Sequence, residues 1–227
     1  MIFPIGDDNI TGGHTPYASY IFLGINVLIF LYQLTLSPEY SNLFLNTYGS
    51  IPYEISNGQD YYTLMSSMFL HGGWMHIIGN MLFLWIFADN IEAVIGTVGF
   101  IGFYLIGGLF ASAAHIMTDV SSIIPTVGAS GAISAVMGTY LVMFPKSRIK
   151  IIFIIFFSIF YLPAFAFLGL WFVQQLFSGI GSLTPQDVEE GGGVAWWAHI
   201  GGFVYGIVMG FIFKYFHKNK YSYSPKV

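Results

Sequence analysis

The 227-residue chain contains no cysteine. That absence removes disulfides, thiolate metal ligands and cysteine nucleophiles together. Charge is scarce as well: Lys and Arg number 7, Asp and Glu number 11, and charged residues make up 8% of the chain. A soluble domain carries roughly 25%, so this surface is not built to face water all round. The few basic residues cannot form a nucleic-acid surface, and no nucleic-acid partner is expected. The opening residues, MIFPIGDDNITGGHTPYAS, lack the basic region of a secretory signal and the arginines of a transit peptide. His-Glu-x-x-His does not occur, and no paired Asp falls inside an apolar run, which argues against zinc and aspartyl chemistry. No metal and no cofactor are expected.

What fills the chain instead is apolar. Hydrophobic residues reach 56% and aromatic residues 19%, with a mean hydropathy of +0.71. Runs of about 18 or more apolar residues recur, the mark of helices that cross a bilayer. The pattern predicts an all-α, polytopic membrane protein with six transmembrane helices, at about 17–36, 73–95, 98–117, 128–144, 149–177 and 195–216. Pro163 should kink or break the fifth. Residues 1–16 form a short N-terminal segment, 17–216 one membrane domain, and 217–227 a basic tail. No internal repeat is evident, which weakens a transporter built from repeated halves.

Basic residues give the direction. Lys146, Arg148 and Lys150 lie between the fourth and fifth spans, and Lys214, Lys218, Lys220 and Lys226 at or beyond the end of the sixth. Two spans separate the clusters, so both fall on one side, the cytoplasmic one, together with both termini. Asp60, Asp119, Asp187, Glu189 and Glu190 fall in the opposite loops; Asp7 and Asp8 add no support.

Polar groups inside apolar spans are costly and read as functional by default. His76 and Asn80 lie in the second span, Ser130 and Ser134 in the fourth, and His199 in the sixth. At about 1.5 Å per residue, Ser130 stands roughly 24 Å from Lys146, His199 roughly 22 Å from Lys214, and His76 roughly 20 Å from Asp89. In a hydrocarbon core of about 30 Å the three share one level in the outer half. Ser130, Ser134 and Gly138 form one stripe; His199, Gly202, Gly206 and Gly210 form another. Small residues so spaced let two helices approach closely, which would set Ser130 and His199 at the head of one seam.

A serine hydroxyl becomes a nucleophile when a base removes its proton, and His199 is the candidate base. The nearest carboxylates, Asp89 and Glu92, lie about 20 Å or more below, so a Ser–His dyad is expected rather than a triad. Asn80, His76 and the Ser130 N–H, at the start of a helix, would stabilise an oxyanion. Gly128 and Gly131 leave room for a substrate backbone. Acyl transfer to water, meaning peptide hydrolysis within the membrane, is the chemistry this set can perform.

The segments HGGWMHIIGN (71–80), GASGAISAVMG (128–138) and AHIGGFVYG (198–206) resemble the three motifs of rhomboid intramembrane serine proteases, over roughly 58–213. The resemblance implies Ser130 as nucleophile, His199 as general base, and His76 with Asn80 at the oxyanion site. It also implies single-span transmembrane protein substrates in the lipid bilayer, cut near the outer face. Several positions depart from the pattern. Tyr62-Thr63 stands where many members carry Trp-Arg. Ser134 stands where some carry an aromatic that supports the histidine, so His199 must be held by something else. His71 is read as structural, and His14, His115 and His217 as solvated at span ends. Asp89 and Glu92 occupy a position that is basic in some relatives. The loop 178–194, with Gly191 to Gly193, could cover the site, and the fifth span could part sideways to admit substrate. The competing functions are a catalytically idle relative that binds or chaperones membrane proteins, and a channel or transporter. The architecture points to a prokaryotic cytoplasmic membrane.

Overall fold

The computed structural model describes residues 2–8, 14–153, 158–183 and 193–217. Among the described residues, four helices are long and apolar enough to cross a membrane: α5 (Trp74–Ile95), α6 (Thr97–Ile116), α8 (Ala164–Gly181) and α9 (Trp196–Phe216). Their 18 to 22 residues rise about 27–33 Å, the thickness of a hydrocarbon core. Two further apolar helices are shorter, α1 (Tyr17–Gln33) and α7 (Ser130–Met143). Between α1 and α5 the chain forms α2 (Pro38–Tyr48), α3 (Pro52–Ser56), α4 (Thr63–Ser66) and a 3₁₀ turn at Ser67–Phe69.

α7 is the core of the bundle. Every residue from Gly131 to Tyr140 is buried, which explains why it is apolar all round rather than on one stripe. α1 lies outside and buries a single face through Ala18, Phe22, Asn26, Phe30 and Gln33, spaced as one helical stripe demands. The α7–α9 seam follows the predicted stripes. A Cβ added at Gly138 would strike the Phe203 carbonyl oxygen, one at Gly202 the Gly131 oxygen, and one at Gly206 the Ala135 oxygen. Backbone thus rests on backbone, and Thr139 Oγ1 donates across the seam to the Gly206 oxygen at 2.8 Å.

Two expectations are corrected. The chain is not all-α: β1 (Ile2–Gly6), β2 (Arg148–Phe153) and β3 (Ser158–Pro163) form an antiparallel sheet in the order β1-β2-β3. Nor does a span cover 149–177. Its first half is β2 and β3, paired from Arg148↔Pro163 to Phe153↔Ser158, and the helix begins only at Ala164. β2 alternates as a strand should, with Ile149 and Ile151 fully buried and Arg148 exposed. Pro163 is the cap before α8 rather than a kink within it, a position where its missing N–H costs nothing.

Among the described residues, the sheet and the helix ends beside it hold most of the charge. Asp8 binds Arg148 through the backbone N–H (2.9 Å), Nε (3.1 Å) and Nη2 (3.3 Å). Asp7 accepts from Asn90 Nδ2 at 2.7 Å and from the Tyr140 hydroxyl, which also pairs with Ser147 Oγ at 2.7 Å. Burial beside Asp89 and Asp8 pushes the Asp7 carboxyl up to about 7. Glu92, fully buried, receives the N–H groups of Ala18 and Ser19, each at 2.9 Å, and the Ser19 hydroxyl at 2.7 Å. It therefore caps α1, satisfying donors that a helix start leaves unpaired and meeting its positive end with a carboxylate. That is the physical reason for an acid in this place. Gly96, at φ +78, turns the chain from α5 directly into α6.

Candidate active site

The segment that leads into α7 is held by the short helices before α5. Ser50 and Thr126 exchange two backbone hydrogen bonds, at 3.0 and 2.9 Å, and Gly128 N–H donates to the Ser67 oxygen at 2.9 Å. Gly128 sits at φ +127, and a Cβ there would lie 2.6 Å from His76 Nε2 and 3.6 Å from Asn80 Nδ2. Only glycine combines that backbone with that closeness. α7 opens two residues later at Ser130, whose N–H is among those its first turn leaves without a helical partner.

His199 stands on the first turn of α9, where the Gly202 contact with Gly131 sets it opposite Ser130. Its Nε2 is 2.8 Å from Ser130 Oγ. Its Nδ1 is 2.7 Å from Gln175 Oε1 on α8. The Trp171 and Trp196 rings flank the imidazole, with centroids at 5.9 and 6.1 Å. Neither imidazole contact is a carboxylate.

On α5, His76 Nδ1 faces the Gly72 N–H at 3.4 Å. An N–H can only donate, so in the neutral ring Nε2 carries the proton and aims it toward Gly128. Asn80 is buried and its amide nitrogen lies 2.9 Å from His71 Nε2, leaving the second N–H of that amide for another acceptor. Of the residues singled out from sequence, His76 and Asn80 thus lie beside Gly128, and His199 lies against Ser130 two residues further on.

His71 is buried and braces Asn80 and His76. Gln33 of α1 clamps its backbone, donating to its oxygen at 3.1 Å and accepting from its N–H at 3.2 Å, and its ring stacks edge-on to His76 at 5.0 Å. Ser134 is buried and donates to the Ser130 oxygen at 2.7 Å, so it belongs to the seam. Thr63 is buried and bonds the Asp60 oxygen at 2.7 Å, while Tyr62 reaches the Thr47 oxygen at 2.9 Å; both hold the short helices together. Not every remaining histidine is solvated: His115 is partly buried, whereas His14 lies at the surface, 3.5 Å from Glu92. Most of the 178–194 loop expected to cover the site, and the tail beyond His217, lie outside the described residues.

Gln175 is the site residue that sequence reasoning missed. The signal was present: Gln174-Gln175 is a polar pair within an otherwise apolar run, LGLWFVQQLFSG, and such pairs call for a partner.

The sequence pattern of the Rhomboid domain matches residues 58–216. Rhomboid protein 1, mitochondrial, of Saccharomyces cerevisiae is 31% identical over 145 residues, 60% of this chain and 39% of that protein. RHOMBOID-like protein 4 of Arabidopsis thaliana is 31% identical over 176 residues, 76% of this chain and 39% of that protein. Presenilin-associated rhomboid-like protein, mitochondrial, of Mus musculus is 28% identical over 152 residues, 63% of this chain and 36% of that protein. The chain thus spans well under half the length of these curated relatives. They are eukaryotic and two are mitochondrial, so they lend no support to the prokaryotic membrane expected above. With the apolar helices, the pattern match establishes that the chain belongs to the rhomboid family of membrane proteins.

Proposed function

We propose that this rhomboid is an intramembrane serine endopeptidase acting on single-span transmembrane proteins. The observation that carries the reading is the 2.8 Å contact between Ser130 Oγ and His199 Nε2, made inside a bundle of apolar helices. In the proposed reaction the Ser130 oxygen attacks the scissile carbonyl carbon as His199 Nε2 takes the hydroxyl proton. The carbonyl oxygen becomes an oxyanion facing the Ser130 N–H, His76 Nε2–H and Asn80 Nδ2. His199 returns the proton to the leaving amine, and the amine departs as the C–N bond breaks. Water, deprotonated by the same nitrogen, then releases the acyl group and restores Ser130.

In this reading six helices span the bilayer, with both termini on the side of the basic residues. The pairing of β1 with β2 and the bond from Lys214 Nζ to the Val142 oxygen at 3.2 Å favour a common side for both ends of the domain. The shortness of α7 then has a purpose. Its 14 residues rise about 21 Å, so Ser130 stops below the far surface, at the depth of a substrate's transmembrane segment.

The test uses purified protein in liposomes with a transmembrane reporter and a fluorophosphonate probe. Wild type should cleave and label, whereas Ser130→Ala and His199→Ala should do neither. Absence of labelling in folded wild type would overturn the reading in favour of an idle, membrane-protein-binding relative.

A further inference from the structure

We propose that Gln175 is a positioning residue for His199: its amide oxygen holds the Nδ1 proton and thereby turns the bare Nε2 toward Ser130. This rests on the hydrolytic reading of the Ser130–His199 pair and adds to it a third group on a third helix.

Gln175 is 2% exposed on a helix whose other buried residues are Ala164, Leu168 and Gly179. An amide in such a place is unfavourable unless its hydrogen bonds are made. Both ends of this amide are engaged. Nε2 donates to Gln174 Oε1 at 3.0 Å, which fixes the amide so that Oε1 faces His199 Nδ1 at 2.7 Å. A carbonyl oxygen can only accept, so Nδ1 carries the hydrogen. A neutral imidazole has one N–H, and Nε2 is therefore left with the lone pair that receives the Ser130 proton. When that proton arrives, positive charge develops on the ring, and the negative end of the amide dipole already points at it. The amide gives orientation and tautomer control, the tasks a carboxylate performs in a triad, without placing an ion in the bilayer.

Among the described residues, no other group duplicates this contact. The ionisable neighbours of His199 are His76 on α5 and His115 on α6, and neither bonds its Nδ1. Trp171 and Trp196 offer ring faces and edges, which limit tilt but do not select a tautomer. Nor is Gln175 needed to fasten α8 to α9, because Trp197 Nε1 donates to the Gly179 oxygen at 3.1 Å one turn away.

The experiment compares wild type, Gln175→Leu, Gln175→Glu and Ser130→Ala, full-length in liposomes. Its readouts are reporter cleavage, fluorophosphonate labelling rate, melting temperature and ¹⁵N NMR of histidine-labelled protein. Gln175→Leu should lower kcat and the labelling rate about 10- to 100-fold with KM within about twofold, and its His199 signal should shift toward the Nε2–H tautomer. Gln175→Glu, which also offers an oxygen to Nδ1–H, should recover most of the rate. Wild-type kcat in folded Gln175→Leu would overturn the proposal while leaving the dyad intact. So would a loss that follows melting temperature and is not rescued by Glu, since that is the signature of a packing role. If Gln175→Leu does not fold, failure of folded Gln175→Glu to retain activity decides against the proposal. Cleavage by Ser130→Ala would instead sink the hydrolytic reading itself.

Discussion

The two ends of α7 are both bound into polar networks, but the networks differ in kind. At Ser130 the partner is His199 of α9 and, beyond it, Gln175 of α8, while His76 and Asn80 of α5 lie beside Gly128 two residues before; none of these is a carboxylate, Lys or Arg. At Tyr140 the partners include Asp7 and, beyond it, the Asp8–Arg148 ion pair. The bonds also differ in redundancy. His199 has one partner on each nitrogen, so losing either changes what the ring can do. Asp7 has two donors, and Asp8 meets Arg148 through three nitrogens. One end therefore depends on single contacts, and the other on redundant ones. The difference predicts a steep loss for small changes near Ser130 and shallow, titrating effects near Tyr140.

A change that disturbs both ends at once should have the largest effect. Gly206 lies midway along the seam, and a Cβ there would strike the Ala135 oxygen with its carbon at 2.8 Å. Backbone atoms cannot rotate aside, so Gly206→Leu must push α9 from α7 and disturb both networks. Overpacking of this kind costs about 3 kcal/mol, or a melting temperature lower by about 10 °C for a chain of this size, with cleavage abolished. Wild-type thermal stability in Gly206→Leu would refute backbone-on-backbone packing.

Next comes a change confined to the site end. Gly128→Ala places a methyl 2.6 Å from His76 Nε2 at a φ of +127. The backbone strain is about 1–3 kcal/mol, but under the proposed mechanism the greater consequence is displacement of His76, since losing an oxyanion donor costs about 100-fold or more in kcat. Cleavage should fall by that factor while the melting temperature falls less than in Gly206→Leu. If Gly128→Ala turns over like wild type, His76 is not at the oxyanion position.

The sequence made the site end legible and hid most of the other. The bounds of α5, α6 and α9 came within one or two residues, because bilayer thickness ties the length of an apolar run to the length of a helix. Ser130 and His199 could be brought together from stripes of small residues, since such stripes have little use except close approach. IKIIFIIFFSIFYL (149–162) misled because a continuous apolar run has no periodicity to separate strand from helix. Its abundance of Ile, Phe and Tyr was the available hint of strand. β1 was hidden for a different reason, since its partner lies some 150 residues away and no local pattern announces it. Gln175 was hidden because a polar residue in an apolar run does not name its partner, and its contact with His199 appears only once α8 packs against α9.

The smallest effect should come from Asp7, and its sign follows from the direction of its shift. Burial raises the folded-state value to about 7 from an ordinary 3.8, against the lowering effect of the Tyr140 and Asn90 hydrogen bonds. The folded protein therefore holds a proton there that the unfolded chain has already released between those values. Stability from this group is fully present below about pH 4 and is lost as pH rises through about 7. Asn at this position keeps the size and the acceptor oxygen but cannot titrate. Wild type should thus melt at a lower temperature at pH 8 than at pH 6, and Asp7→Asn should show a smaller step across the same interval. The site end contains no part of this network, so cleavage by Asp7→Asn at pH 6 should match wild type. An unchanged pH 6-to-8 step in the variant would assign the titration to another group. A large loss of cleavage at pH 6 would mean that the two ends of α7 are more tightly coupled than their separate partners suggest.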